Sequence, residues 1–283
     1  MGEGRTTKWW VPWALLAPGL LWLILFFALP LVSLLTNSLD DAARTRRLGG
    51  GGLKNYTQVF STYQDVIVRT FVYSAVATVI CVLIGYPLAY FIAMKGGRFK
   101  NALLASVVLP FFTTYLIRTI AWRVIVDKSG PLVGFLRTVH LLGRTDELLA
   151  TPTAVIFALV YNFLPFMVLP IYVSLEKIDR RLLEAGPDLY APASRTFRRV
   201  TLPLSLPGVF AGSLLTFIPA AGDFVNAELL GSDRTRMIGN IIEKNFLQEQ
   251  FRPGISALSF VLMVLILGAV LIYSKLLGTE DLI

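Results

Sequence analysis

Six stretches of this chain contain no Lys, Arg, Asp or Glu: residues 9–39, 70–94, 101–117, 148–175, 200–222 and 253–274. A helix crossing a hydrocarbon layer of roughly 30 Å needs about 20 apolar residues, and five of the six stretches are longer than that. Only 16% of the residues are charged and 55% are hydrophobic, whereas soluble domains carry about 25% charge. The chain has too little charge to cover a water-facing surface, which excludes a disordered chain, a collagen and a soluble enzyme. The pattern predicts an all-α, polytopic membrane protein with six transmembrane helices at about 10–36, 67–94, 101–126, 149–175, 200–226 and 253–275. These form a single transmembrane domain over 1–283. The run from Trp9 is about twice a signal-peptide core and lacks a clear small-residue cleavage site, so it is expected as an uncleaved first helix.

The third span is the least regular. Its charge-free part is short, and apolar character resumes around Arg118 and Arg123. An arginine at a helix centre costs about 2.5–3.5 kcal/mol on insertion scales, but one near an end can snorkel to the headgroups. Both arginines are therefore expected at the outer end of that helix, as anchors or, alternatively, for gating or substrate work. Pro87, Pro110, Pro165 and Pro170 fall inside apolar runs, where each removes a backbone donor and favours a kink.

The net charge of +8 could suit nucleic acid, but the basic residues flank the apolar runs, so membrane lipid is the expected contact and nucleic acid is not. Taking alternate segments between spans, the set that includes both termini holds 12 Lys and Arg in 47 positions, against 14 in 90 for the other set. The positive-inside rule then places both termini in the cytoplasm. Cys81 stands alone and reads as a small packing residue, and His140 has no Cys or His neighbour with metal-ligand spacing. No Gly-x-x-x-x-Gly-Lys-Ser/Thr occurs, so the chain is expected to hydrolyse no ATP itself and to bind no cofactor. A membrane enzyme would lack a nucleophile with a base, and a proton-coupled transporter would lack an acidic or histidine relay in its helices.

Residues 176–199, EKIDRRLLEAGPDLYAPASRTFRR, form a long polar loop in which Ile178, Leu182, Leu183, Ala185 and Leu189 are spaced as on an amphipathic helix. Such a helix could lie on the membrane or in a groove of another protein. Its spacing resembles the EAA loop of ABC-importer permeases: Glu184, Ala185, Gly186, Tyr190, Val200, Leu202 and Pro203 fall at that pattern's positions without insertion or deletion. YLIRTIAWRV (115–124), LVYNFLPFMVLPIYVSLEKID (159–179), RRVTLPLSLPG (198–208) and GDFVNAELLG (222–231) are similar to the first permease subunit of spermidine/putrescine-type importers. Opine, iron and thiamine importers have related permeases.

The resemblance implies a type I ABC importer permease fold in a bacterial inner membrane. It implies a second permease subunit, a cytoplasmic ABC ATPase dimer that binds ATP and magnesium, and an extracytoplasmic substrate-binding protein. It assigns Glu184, Ala185, Asp188 and Leu189 to the surface that docks on the ATPase, with Gly186, Tyr190, Leu202 and Pro203 completing the motif. Two positions depart from the pattern: Gly186 replaces its second alanine and Tyr190 its glycine. Without that glycine, the turn after the first short helix is expected from Pro187 and Pro192.

For a polyamine cargo the pathway needs carboxylates for charge and aromatic faces for methylene and ammonium groups. Asp223 and Glu228 are the candidate carboxylates, and Trp122 and Tyr161 the candidate aromatic walls. With a fifth helix starting at Pro207, Asp223 stands roughly 24 Å along it, in the outer half of the path. Alternatively, Asp223 caps a helix and Trp122 belongs to an interfacial aromatic belt.

Overall fold

A computed structural model describes residues 10–39, 52–143, 146–188, 190–247 and 252–276. Among these residues the chain is helical, without strands: α1 (Val11–Leu23), α2 (Leu29–Leu39), α3 (Leu53–Tyr90), α4 (Lys100–Val108), α5 (Tyr115–Val126), α6 (Pro131–Thr138) and α7 (Pro152–Glu176) come first. They are followed by α8 (Arg180–Asp188), α9 (Ala193–Thr196), α10 (Leu202–Ala221), α11 (Val225–Leu230), α12 (Ile238–Leu247) and α13 (Arg252–Leu276). The chain divides into two compact units, one of residues 1–62 with 245–263 and one of 63–244 with 264–283.

Five helical stretches are long and apolar enough to cross a membrane: Trp13–Leu39, Leu53–Lys95, Pro152–Glu176, Ala193–Ala221 and Pro253–Lys275. A bent pair, Gly97–Phe112 and Tyr115–Thr138, joined at 94°, makes a sixth crossing if its two helices count as one span and a re-entrant loop otherwise. The single helix expected over 101–126 is thus interrupted. Pro110 sits in a tight turn of 3-10 helix at Leu109–Phe112, and Thr113 is extended, with φ −81° and ψ 143°. A proline cannot supply its amide to the helical ladder, so the helix ends there and restarts at Tyr115. Two other spans begin earlier than hydropathy suggests. The second helix starts at Leu53, because its first turns are polar but still helical. The fifth runs from Ala193 without a break, not from Pro207. Pro203 lies in the first turn of α10, where its missing N–H is no loss.

The smaller unit is held by side chain to backbone bonds at the foot of α2 and α3. Asn55 Nδ2 donates to the Ser38 carbonyl at 2.9 Å, and the Ser38 and Tyr56 hydroxyls share a bond at 2.7 Å.

In the larger unit α7 is the central element. Leu159, Met167, Val168, Ile171 and Leu175 are buried in one cluster with Ala77, Cys81 and Ala89 of α3. α10 lies against α7 through Gly208 and Gly212, four residues apart and so on one helix face. A β-carbon on Gly208 would stand 2.5 Å from the Pro170 carbonyl oxygen, and one on Gly212 would stand 2.9 Å from the Met167 sulfur. Without apolar solvent exclusion to drive helices together in lipid, close backbone approach at small residues does that work. Lys100, at the start of α4, pairs with Glu176, at the end of α7. The pair sets the short 96–99 turn and the α8–α9 segment at the same end of the bundle.

Candidate functional site

Two polar regions interrupt this apolar frame. The first is the helical hairpin that follows α7. Asp179 opens it, its side chain accepting the Arg181 amide at 3.0 Å as an N-cap does. Ile178 is buried and Leu183 packs on the main core, so the apolar side of α8 faces inward. Glu184, Ala185 and Asp188 consequently lie on the exposed side. Leu189 lies outside the described residues.

α8 ends in a Schellman motif: the Tyr190 amide donates to the Pro187 carbonyl at 2.9 Å and the Ala191 amide to the Gly186 carbonyl at 3.0 Å. That motif requires a left-handed residue, and Tyr190 adopts it at φ 55°. The turn expected from Pro187 and Pro192 is therefore made by Tyr190 itself, at the position where the motif has glycine. Its side chain is 97% exposed, so the ring meets no obstruction and the strain is confined to the backbone.

The other departure has a packing reason. A β-carbon on Gly186 would lie 2.3 Å from the Thr196 Oγ1 and 3.0 Å from its methyl. The hairpin closes so tightly that the alanine of the pattern would require the Thr196 side chain to shift. On the far arm, Phe197 presents its ring edge-on to Tyr86 and Tyr90 of α3, at 5.9 and 5.7 Å between centroids. The Tyr86 hydroxyl bonds Ser205 at 2.8 Å. Leu202 is half-buried and Pro203 exposed. The result is a knob packed against α3 and α7 whose exposed face carries two carboxylates, Glu184 and Asp188, beside the methyl group of Ala185. Such a surface suits a charge-assisted contact with a basic residue.

The second region is buried. Arg118, on α5, is 8% exposed; the outer-end anchoring expected of it does not occur. Its Nε donates to the Asn162 side chain at 2.7 Å and its Nη1 to the Pro110 carbonyl at 2.8 Å. The guanidinium lies over the rings of Phe111, Tyr115 and Tyr161, at 4.9, 5.6 and 5.9 Å. Asn162 Nδ2 donates to the Asn226 side chain at 2.9 Å, and Asn226 Nδ2 to the Tyr115 hydroxyl at 2.6 Å. Tyr115 in turn donates to Asp223, whose other oxygen accepts the Asn226 amide at 2.9 Å. The two faces of the break in the third span are thereby tied to α7 and to the α10–α11 turn. Arg123, by contrast, is exposed.

Of the four pathway candidates, Trp122 and Tyr161 touch edge to face at 5.0 Å between centroids. Asp223 is 7% exposed and reaches that pair only through Tyr115 and Arg118. Glu228 stands apart on the exposed side of α11, with the Asn240 amide group 3.4 Å from its Oε2. Asn162 and Asn226 were not singled out by sequence, whereas Arg118 was, at the outer end of its helix. The signal was present as polar residues inside apolar stretches, but a strip of hydropathy does not reveal which of them meet.

The family model of the binding-protein-dependent transport system inner membrane component matches residues 82–276. The spermidine/putrescine transport system permease protein PotB of Haemophilus influenzae is 41% identical over 79% of this chain and 78% of its own length. PotB of Escherichia coli K12 is 36% identical over 92% of this chain and 96% of its own length. Among solved structures, a bacterial alginate ABC transporter in complex with an alginate pentasaccharide-bound periplasmic protein aligns with TM-score 0.73 and 18% identity, over 94% of this chain and 93% of that one. That likeness gives the fold: a type I ABC importer permease. The chain therefore belongs to the inner membrane components of binding-protein-dependent transport systems, as a multi-pass, non-catalytic permease subunit of an ABC importer.

Proposed function

We propose that this permease imports polyamines of the spermidine and putrescine class. The observation that carries the reading is end-to-end similarity to PotB permeases, over 92% of this chain and 96% of the relative's own length. In this reading the α8–α9 hairpin lies in the cytoplasm, as do both termini, and docks through Glu184, Ala185, Asp188 and Leu189 on an ATPase dimer that binds ATP and magnesium. A second, similar permease completes the pathway, and an extracytoplasmic binding protein delivers the cargo. ATP binding closes the ATPase pair, the hairpins follow, and the pathway switches which side it faces, a two-state element biased by nucleotide and loaded binding protein.

Asp223 and Glu228 supply negative charge along the path, and Trp122 and Tyr161 supply aromatic faces. Asp223 is engaged by Tyr115 and Asn226, so an ammonium group reaches it only by displacing the Tyr115 hydroxyl. Asp223→Asn is expected to lower uptake of spermidine.

The test is ATP hydrolysis by the complex of this chain with its partner permease and ATPase, in liposomes, with binding protein and with or without spermidine or putrescine. Stimulation by polyamine-loaded binding protein supports the reading. Stimulation only by another solute keeps the importer and replaces the cargo. Solute uptake without ATP would point to secondary transport.

A further inference from the structure

The buried network contains a positive charge that, among the described residues, is not directly paired with a carboxylate. Arg118 Nε and Nη1 donate to an amide oxygen and a backbone carbonyl, both neutral, and the guanidinium lies over three aromatic rings. Among the described residues no carboxylate forms an ion pair with it. Asp223 belongs to the same network, but its oxygens accept from the Tyr115 hydroxyl and the Asn226 amide instead. A guanidinium does not deprotonate in proteins, so the charge is permanent.

Its depth follows from its partner. Asn162 stands ten residues into α7, about 15 Å from the Pro152 end and about 21 Å from the Glu176 end at 1.5 Å per residue. Arg118 is therefore held near the middle of the span. It forms part of the wall of a cavity of about 220 Å³, with Ser106, Phe111, Tyr161, Leu164 and Pro165. Charged groups at that depth face a bundle interior or a hydrated space, not lipid.

A route wide enough for an alkyl polyamine does not exclude K⁺ or Na⁺ by size. A positive charge held in the resting passage does, because it raises the barrier to cations, the polyamine included, until the charge moves with the transport cycle. We propose that Arg118 is the electrostatic seal of the permease, the residue that keeps inorganic cations from leaking along the pathway between transport cycles. This rests on the transport reading above. The neutral partners are the essential feature: they accept from the guanidinium at Nε and Nη1 without forming an ion pair with it. Because Nη1 is clipped to the Pro110 carbonyl beside the break at Thr113, movement at that break carries the charge with it.

The test uses the assembled complex in vesicles loaded with potassium chloride, without ATP, with a protonophore to balance charge and an electrode to follow K⁺ efflux. Arg118→Gln should raise efflux about tenfold or more, since a unit charge a few ångströms from a cation's route dominates its barrier in a partly hydrated interior. Arg118→Lys, which keeps the charge, should stay close to the unaltered complex. Asn162→Asp sets a carboxylate against the guanidinium and should leak like Arg118→Gln with the arginine still present. Tight vesicles with both Arg118→Gln and Asn162→Asp overturn the proposal. Equal leak in Arg118→Lys and Arg118→Gln also overturns it, because the fork and not the charge would then be the agent. If Arg118→Gln fails to assemble, Asn162→Asp decides. ATP-driven spermidine uptake by the unaltered complex in the same vesicles reports separately on the transport reading, so the two can fail independently.

Discussion

The hairpin and the buried network are both polar interruptions of an apolar bundle, and they are built on opposite principles. The hairpin is made from consecutive residues: Asp179 caps it, Gly186 and Thr196 close it, and Tyr190 turns it. Its Glu184, Ala185 and Asp188 face points outward and carries little of the fold's stability. The network draws on α5, α7 and the α10–α11 turn, joining Arg118, Asn162, Asn226, Tyr115 and Asp223 over more than a hundred positions of sequence. Each member there is satisfied only if all the others are in place. Damage to the network should therefore appear as lost stability, and damage to the hairpin as lost coupling.

The largest expected effect comes from Asn226→Leu. It removes the side chain that bridges Asn162 and Tyr115 and leaves the bond from its backbone amide to Asp223 in place, so two buried polar partners lose a hydrogen bond. Each buried group left unsatisfied costs about 1–3 kcal/mol. Thermal unfolding of the purified complex should shift well below that of the unaltered protein. Cycles pairing Asn226→Leu with Asn162→Leu should show non-additivity. An unchanged midpoint would mean that the network is dispensable and the contrast drawn here is wrong.

Next in size is Gly212→Ile, which tests the frame that supports both regions. Its side chain would enter the space held by the Met167 backbone and sulfur. Overpacking of this kind costs about 1–3 kcal/mol. Because α10 carries the hairpin's far arm at one end and the Asp223 turn at the other, both stability and ATPase coupling should fall together. Loss of one without the other would show that the two regions are supported separately.

How far each region was legible in the sequence follows from the same contrast. Apolar runs are local, so helices were visible, and the hairpin's motif could be matched residue by residue because its spacing is fixed within one segment. The break at Thr113–Thr114 was not visible. Pro110 marked a kink, but the restart at Tyr115 depends on Arg118 reaching back to the Pro110 carbonyl. The role of Arg118 was misjudged for that reason, since an arginine near the end of a hydrophobic stretch looks like a headgroup anchor until Asn162 is known to stand beside it. Tyr190 was misjudged for another: glycine is the expected left-handed residue, and nothing in the sequence indicates that a tyrosine takes that conformation.

Glu184→Arg separates the regions most cleanly. The side chain is exposed, and surface substitutions away from packing features usually change stability by no more than about 0.5 kcal/mol. Reversing the charge on the docking face should nevertheless weaken association with the ATPase about tenfold or more, as for truncated charge pairs at interfaces. Co-purification of ATPase and thermal unfolding, measured on one preparation, check both halves. A variant that retains the ATPase in full would take Glu184 out of the contact.

The smallest effect is the most specific. Tyr190 holds φ 55° with its ring in solvent, so the backbone bears a penalty that no side-chain contact repays. A left-handed conformation costs an ordinary L-residue about 1–2 kcal/mol, and glycine adopts it freely but has more freedom to lose on folding. Tyr190→Gly should therefore stabilise the hairpin by a net of about 0.5–1 kcal/mol, and Tyr190→Ala, which keeps the β-carbon, should give no such gain. Hydrogen exchange at the Ala191 amide, which donates to the Gly186 carbonyl across the turn, reads this locally and should slow in the glycine variant alone. If both variants slow it equally, the strain lies elsewhere than at the left-handed position. If only Tyr190→Gly slows it while ATPase stimulation falls, the exposed ring is itself part of what the hairpin offers its partner, and the strained turn is retained for the contact rather than for the fold.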